Sequence, residues 1–456
     1  MAIEDIPTAG APSRAVKAPR RGSRPRVIPY IPERAFHEPT ALTDMPLGGY
    51  LLINDPAGVK HVLVDNAANY PKAALERRIF AAMFGSGLLG SDEETWRAHR
   101  RIMAPAFDPR GVADYGPAIA ACIQETLSRW RDLEDGATLD MQAEMKILSL
   151  RIISRSLFST DSDEVVDTIG ATMRDGLVED LNIGLLDVLP VIGEARMRAR
   201  EKQMATMFDH LDGVIAPMIA ERTARPDAFP RDLLTRLVTT KDPESGRPLS
   251  AREARDEVLT IFMAGRETTS AAMSWIWFLL ARNPHEAERL HDELDAVLGG
   301  RAADQEDLPQ LIRTRRVVQE TLRLYPAVPD LAPKVAVARD EVCGRKIAKG
   351  ARVGIAPWVL HRHRRLWDDP ERFDPDRFSP ERSAGRHRFA YLPFGGGPRI
   401  CIGQNLAMNQ IILVLANLAQ HYQPRLAPDE RVVPFSNVTL RPKSGPAMIL
   451  KRRAPY

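Results

Sequence analysis

The stretch Phe394-Gly395-Gly396-Gly397-Pro398-Arg399-Ile400-Cys401-Ile402-Gly403 lies late in a chain of 456 residues. Three consecutive glycines let a backbone adopt positive φ or approach a neighbour closely. Directly after Cys401 an apolar pattern runs through Leu406, Ile411, Ile412, Val414 and Leu415, which predicts a helix. Free N–H groups and the macrodipole at a helix start favour negative charge, so the Cys401 thiol is expected to lean toward thiolate. Arg399 adds positive charge two residues earlier. A thiolate in a glycine-rich bend, screened by the Phe394 ring, suits the ligation of a flat metal cofactor. Read alone, the same residues also fit a buried structural cysteine beside a glycine turn.

The remaining cysteines carry no such context. Cys122 lies in an apolar helical stretch and reads as a small core residue, and Cys343 precedes Gly344 in a hairpin-like segment. Three cysteines make no disulfide framework, which favours a reducing, cytoplasmic setting. Lys plus Arg number 63 against 60 Asp plus Glu, a net charge of +3 that gives no reason to expect a nucleic-acid partner. A hydrophobic share of 44% excludes global disorder. The longest apolar stretch, 271–281, is interrupted by Ser274 and falls short of the roughly 20 residues a bilayer span requires. No apolar leader opens the chain.

Residues 1–40 hold seven prolines and, over 14–26, six basic residues without an acid, so they read as an irregular Pro/Arg-rich arm. Residues 41–456 show no linker or repeat and read as one domain, mainly α with a smaller β portion. Short strands are expected at 49–53, 335–337 and 351–355, with 59–64 ambiguous between strand and helix. The best-marked element is a helix from Ser250, where Ser250 and Glu253 form a capping box, to Asn283-Pro284. At about 1.5 Å per residue it spans about 48 Å, enough to cross the molecule. Its middle is apolar all round, yet Arg266, Glu267, Thr268 and Thr269 break that run. Buried charge is costly without a task or partner. A second helix is expected over 311–325, with Glu320 and Arg323 on one face.

The glycine–cysteine stretch resembles the haem-binding signature of the cytochrome P450 family, Phe-Gly-x-Gly-x-Arg-x-Cys-x-Gly, at every fixed position. Four further motifs follow the family's order. Trp96-Arg97-Ala98-His99-Arg100 is similar to its Trp-x-x-x-Arg helix, and Ala264-Gly265-Arg266-Glu267-Thr268-Thr269 to its oxygen-activating motif. Glu320-Thr321-Leu322-Arg323 resembles its Glu-x-x-Arg helix, and Phe373-Asp374-Pro375-Asp376-Arg377-Phe378 the segment whose arginine joins that pair, which leaves Arg372 a decoy.

The resemblance implies the cytochrome P450 fold, with its long central helix over the haem, and a haem-thiolate monooxygenase. Cys401 would be the axial ligand of haem b (iron protoporphyrin IX), a ligation that favours O–O cleavage. Phe394 would cover the sulfur, with Gly395 and Gly403 shaping the loop around it. Arg399, Arg100 and Trp96 would hold the propionates, with Lys72 and His99 as weaker candidates. Glu267 and Thr268 would deliver protons on the oxygen side, while Ala264 and Gly265 leave room for oxygen. Residues 72–90, 259–263, 327–331 and 435–438 would line a pocket for a hydrophobic small molecule, to be hydroxylated or epoxidised with O2. The sequence carries no flavin or iron–sulfur domain, so electrons would come from a ferredoxin and its NAD(P)H reductase, docking near Arg97, Arg101 and Arg110. Two alternatives stay open: the same fold acting as a peroxygenase or rearrangement enzyme, and a non-catalytic haem-thiolate sensor. His361 and His363 invite a metal reading that their arginine-rich surroundings oppose.

Overall fold

Ser250 Oγ accepts the Glu253 backbone N–H at 3.2 Å, and the Glu253 carboxylate accepts the Ser250 N–H at 2.8 Å. The capping box therefore closes, and α5 (Ala251–Arg282) runs 32 residues from it to Asn283 in this computed structural model. The structure describes residues 27–28, 30–44, 49–161 and 211–453, and positions 168, 196, 198 and 209. Residues 269–280 of α5 are buried without a break. A helix apolar on every side is stable only inside the core, and α5 is threaded through it.

Around α5 lie α1 (Ala74–Phe84), α2 (Glu93–Met103), α3 (Gly116–Arg131) and α4 (Met141–Phe158), then α6 (Pro284–Leu298), α7 (Ile312–Leu324) and α8 (Gln404–His421). Helix α4 packs closest. Phe158 stacks on Phe262 with centroids 4.4 Å apart, which turns Phe262, expected to line a pocket, into the α4 interface. A side-chain carbon at Gly265 would meet Ile153 Cδ1 at 2.8 Å. The smallness of Gly265 lets α4 approach at this point.

The strands are β1 (Thr40–Leu42), β2 (Leu51–Ile53), β3 (Thr138–Asp140), β4 (Lys334–Val335), β5 (Asp340–Val342), β6 (Arg345–Ile347), β7 (Arg352–Gly354), β8 (Tyr422–Leu426), β9 (Pro434–Ser436), β10 (Leu440–Pro442) and β11 (Ala447–Arg452). The largest sheet has the order β1-β2-β7-β4, with β2 parallel to β7, so it joins the start of the chain to residues 334–354. Cys343 (φ 52°) and Gly344 (φ 72°) make the left-handed turn between β5 and β6. Residues 59–64 are not a strand: Asp55 caps a short helix with Pro56 in its first turn, and the chain continues into a π-helical turn, His61–Asp65.

The arm boundary also moves. Ile28, Ile31 and Ala35 are buried with Tyr50, Leu52 and Val359, so the described residues from Val27 to 40 pack on the body instead of forming part of an irregular arm. The basic run 14–26 lies outside the described residues.

Candidate functional site

The glycine-rich loop is shaped by its backbone. Gly395 (φ 72°) and Gly397 (φ 73°) take conformations that L side chains resist, and a side chain at Gly397 would collide with the Leu63 carbonyl. The Cys401 N–H donates to the Phe394 carbonyl at 3.0 Å, closing the loop. Gly403, the N-cap of α8, directs its N–H at the Cys401 sulfur. As a residue Cys401 is partly open to solvent, while its thiol is set into the protein. Burial pushes the thiol above its ordinary value, against the Gly403 N–H and Arg100, which pull it down. A metal bound to the sulfur would favour the thiolate. Beside Cys401 is a cavity of about 280 Å³, lined among others by Arg100, Phe107, Ile400 and Asn405.

Above the loop, cations converge. The Arg100 and Arg399 guanidinium carbons lie 5.6 and 4.6 Å from the Trp96 ring centre, and Arg100 donates to the Ile400 carbonyl at 2.7 Å. Arg399 pairs with Glu93 at 2.8 Å, while its Nη1 is buried without a hydrogen bond. Lys72 and Lys334 are partners in a β-bridge. Burial, then the nearby Arg399 and Lys334 charges, bring the Lys72 amine down to about 7; burial and Arg399 lower Lys334 as well. Cations that repel one another around an orphaned guanidinium nitrogen fit a ligand carrying carboxylates, as haem does in its propionates. Lys334 was missed in the sequence, where it is only the residue before an expected strand; no spacing rule links positions 72, 334 and 399. His99 is fully buried, hydrogen-bonded to Glu257 Oε1 at 2.7 Å, so it ties α2 to α5 and does not join the cations.

In the middle of α5, Ala264, Gly265, Glu267 and Thr268 form the only partly accessible patch. Thr268 Oγ1 donates to the Ala264 carbonyl at 2.7 Å, one turn back. Glu267 stands among three cations: Arg441 of β10 at 3.5 Å, Lys146 of α4 at 3.7 Å and Arg266 at 3.9 Å.

Beneath the loop, Glu320 and Arg323 of α7 are fully buried and paired at 2.7 and 2.8 Å, with Arg377 Nε 3.3 Å from Glu320. Arg372 offers only its carbonyl to Arg323, as befits a decoy. Arg323 also donates to the His361 carbonyl, and His361 Nε2 accepts the Leu392 N–H at 2.8 Å. Burial, then Arg323 and Arg362, hold His361 down near 3, so it is a neutral brace between this network and the loop. Among the described residues no group of three His, Cys, Asp or Glu side chains is placed to hold a metal ion. Of the arginines expected to meet a redox partner, Arg101 is engaged in a two-pronged pair with Asp242 at 2.7 and 2.9 Å; Arg110 is exposed, and Arg97 is exposed and pairs with Glu93 at 3.2 Å.

A sulfur at a helix start, faced by a long helix and flanked by cations in need of carboxylates, suits the proteins that hold haem through a cysteine. Known proteins of that class match. A family model described as Cytochrome P450 covers residues 39–449. Cyclooctatin synthase of Streptomyces melanosporofaciens is 34% identical over 84% of this chain and 83% of its own length. Cyclooctat-9-en-7-ol 5-monooxygenase of the same organism is 35% identical over 76% and 74%. The crystal structure of a cytochrome P450DA mutant haem domain superposes with a TM-score of 0.78 at 26% identity, covering 91% of each chain. The chain belongs to the cytochrome P450 family, haem-thiolate enzymes whose iron is ligated by a cysteine, and it is a cytochrome P450 monooxygenase. No helix among the described residues is long and apolar enough to cross a membrane.

Proposed function

We propose that Cys401 is the axial thiolate and that the enzyme inserts one atom of O2 into a hydrophobic small molecule, by hydroxylation or epoxidation, in the cytoplasm. When bound, the haem supplies oxygen activation. Arg100, Arg399 and Trp96, joined by Lys72 and Lys334, hold its propionates. The Gly403 N–H donates to the sulfur and tempers its basicity. Phe394, Gly395 and the loop they belong to limit access of water to it. On the other face, Thr268 and Glu267 carry protons to the reaction. With its own hydrogen on Ala264, the Thr268 oxygen is free to accept a bond from water. Glu267, set among Arg441, Lys146 and Arg266, is the carboxyl group of that route. Electrons come from a separate protein, of the ferredoxin class with its NAD(P)H reductase. The observation that carries this reading is the buried, orphaned Arg399 Nη1 among like charges beside Cys401.

The test is spectroscopic. Reduced protein with carbon monoxide is expected to absorb near about 450 nm, and Cys401→Ser to lose that band. Folded wild-type protein with a band near about 420 nm instead would remove Cys401 from the role.

A further inference from the structure

Tyr50 stands at the head of β2. The register that pairs Leu51 with Val353 and Leu52 with Gly354 lays its buried ring across Gly354, where any side chain would strike it. So placed, the Tyr50 hydroxyl donates to Asp330 Oδ2. The Tyr30 hydroxyl donates to the same oxygen at 2.7 Å, with the two rings edge to face and their centroids 6.1 Å apart. The second carboxylate oxygen, Oδ1, is buried without a hydrogen bond. Tyr30 precedes residue 39, where the family match begins, so this contact comes from a segment outside it.

Asp330 belongs to the 327–331 loop, which is otherwise held by backbone hydrogen bonds and by Leu331 packing on the core. The Leu331 N–H donates to Ile355, Pro329 accepts from Trp358, and Ala327 accepts from Leu440. The other charged groups facing the cluster are Arg352 of β7, 5.9 Å from the Tyr50 ring centre, and Glu76 of α1, with which Arg352 pairs. One patch at the start of the central strands β2 and β7 therefore grips two of the segments that the family resemblance assigns to the pocket, α1 through Arg352 and the 327–331 loop through Asp330.

We propose that Asp330 is a positioning residue: clasped by Tyr30 and Tyr50, it fixes the 327–331 loop against the sheet and so sets how bulky a substrate the pocket admits. This rests on the reading that the loop lines the pocket of a haem enzyme. Two phenols on one oxygen form a directional grip that a neutral acid accepts less well. Burial pushes the Asp330 carboxyl up to about 6, against the two phenol bonds that lower it. The clasp is therefore complete above about pH 6 and slackens below it.

Two iron-binding probes of different size separate the outcomes. Imidazole and 4-phenylimidazole are titrated into holoenzyme and followed by the Soret shift, for the wild type, Tyr30→Phe, Asp330→Asn and Asp330→Glu. Tyr30→Phe keeps its ring and leaves the packing intact. Imidazole affinity is expected to stay within about twofold in all four proteins, while 4-phenylimidazole affinity changes at least about fivefold in Tyr30→Phe and Asp330→Asn, with Asp330→Glu closer to wild type. The wild-type-to-Asp330→Asn ratio for 4-phenylimidazole cancels the titration of the probe and is expected to approach one as pH falls below about 6. An unchanged preference between the two probes, or a ratio independent of pH, overturns the proposal alone. A wild-type protein whose Soret band ignores imidazole overturns the haem-site reading together with it.

Discussion

Thr268 and Glu267 sit side by side on α5 but are prepared differently. Thr268 already has a partner for its hydrogen, so what it offers a ligand is an acceptor oxygen. Thr268→Ala is expected to divert most reducing equivalents to hydrogen peroxide, measured as peroxide formed per NAD(P)H consumed, whereas Thr268→Ser keeps product formation. Full coupling in the alanine variant would take Thr268 out of the proton route. Glu320 makes the opposite case, a buried acid that holds Arg323 and Arg377 and accepts the Asp374 N–H at 2.9 Å. Glu320→Gln leaves two buried cations under-compensated and is expected to cost about 3–5 kcal/mol, read from the urea midpoint of the holoenzyme. A loss below about 1 kcal/mol would show that the arginines are neutralised elsewhere. The Glu320–Arg323 pair was legible because its two members lie within one helical turn. The ion partners of Glu267 were not: Lys146 and Arg441 reach it from a distant helix and strand, a juxtaposition that no local pattern encodes.

At the scale of elements, legibility follows the strength of the local signal. Helix α5 carries a cap, a long apolar run and an Asn-Pro stop, and its bounds follow from them. The strands of the main sheet are two or three residues long, too short for alternation to register, so 59–64 could be taken for one of them. Gly265 carries an element contact that its motif does not announce. Its smallness serves Ile153 of α4, and Gly265→Ala is expected to destabilise by about 1–3 kcal/mol through overpacking. The double variant Gly265→Ala/Ile153→Val should recover most of that loss in thermal unfolding. Additive destabilisation would mean that the two helices do not meet through this pair.

The whole molecule is held by polar junctions between segments far apart in sequence, and Asp340 is one of them. Its carboxylate accepts bonds from His61 at 2.8 Å, Tyr70 at 2.7 Å and Asn66 at 3.0 Å. Burial raises its pKa, but the bonds from Tyr70, His61, the Glu341 N–H and Asn66 outweigh it and hold the carboxyl well below the usual carboxylate range. A folded value below the unfolded one means stabilisation that is present above about pH 4 and lost as pH falls further. The wild-type urea midpoint is expected to drop between about pH 4 and pH 2, and Asp340→Asn to flatten that drop. Equal slopes would exclude Asp340 as a source of acid sensitivity.

The same long-range construction has a consequence for biosynthesis. Arg100 bonds to Ile400 across 300 positions of chain, and Gly397 nests against Leu63. Neither half of the cofactor cradle exists until the ribosome has made both. A nascent chain holding only the earlier helices can fold locally but cannot retain haem, so loading waits for the segment around Cys401. Cells short of haem would then accumulate a fully translated apoprotein whose cation cluster is still unneutralised, the form on which quality control would act.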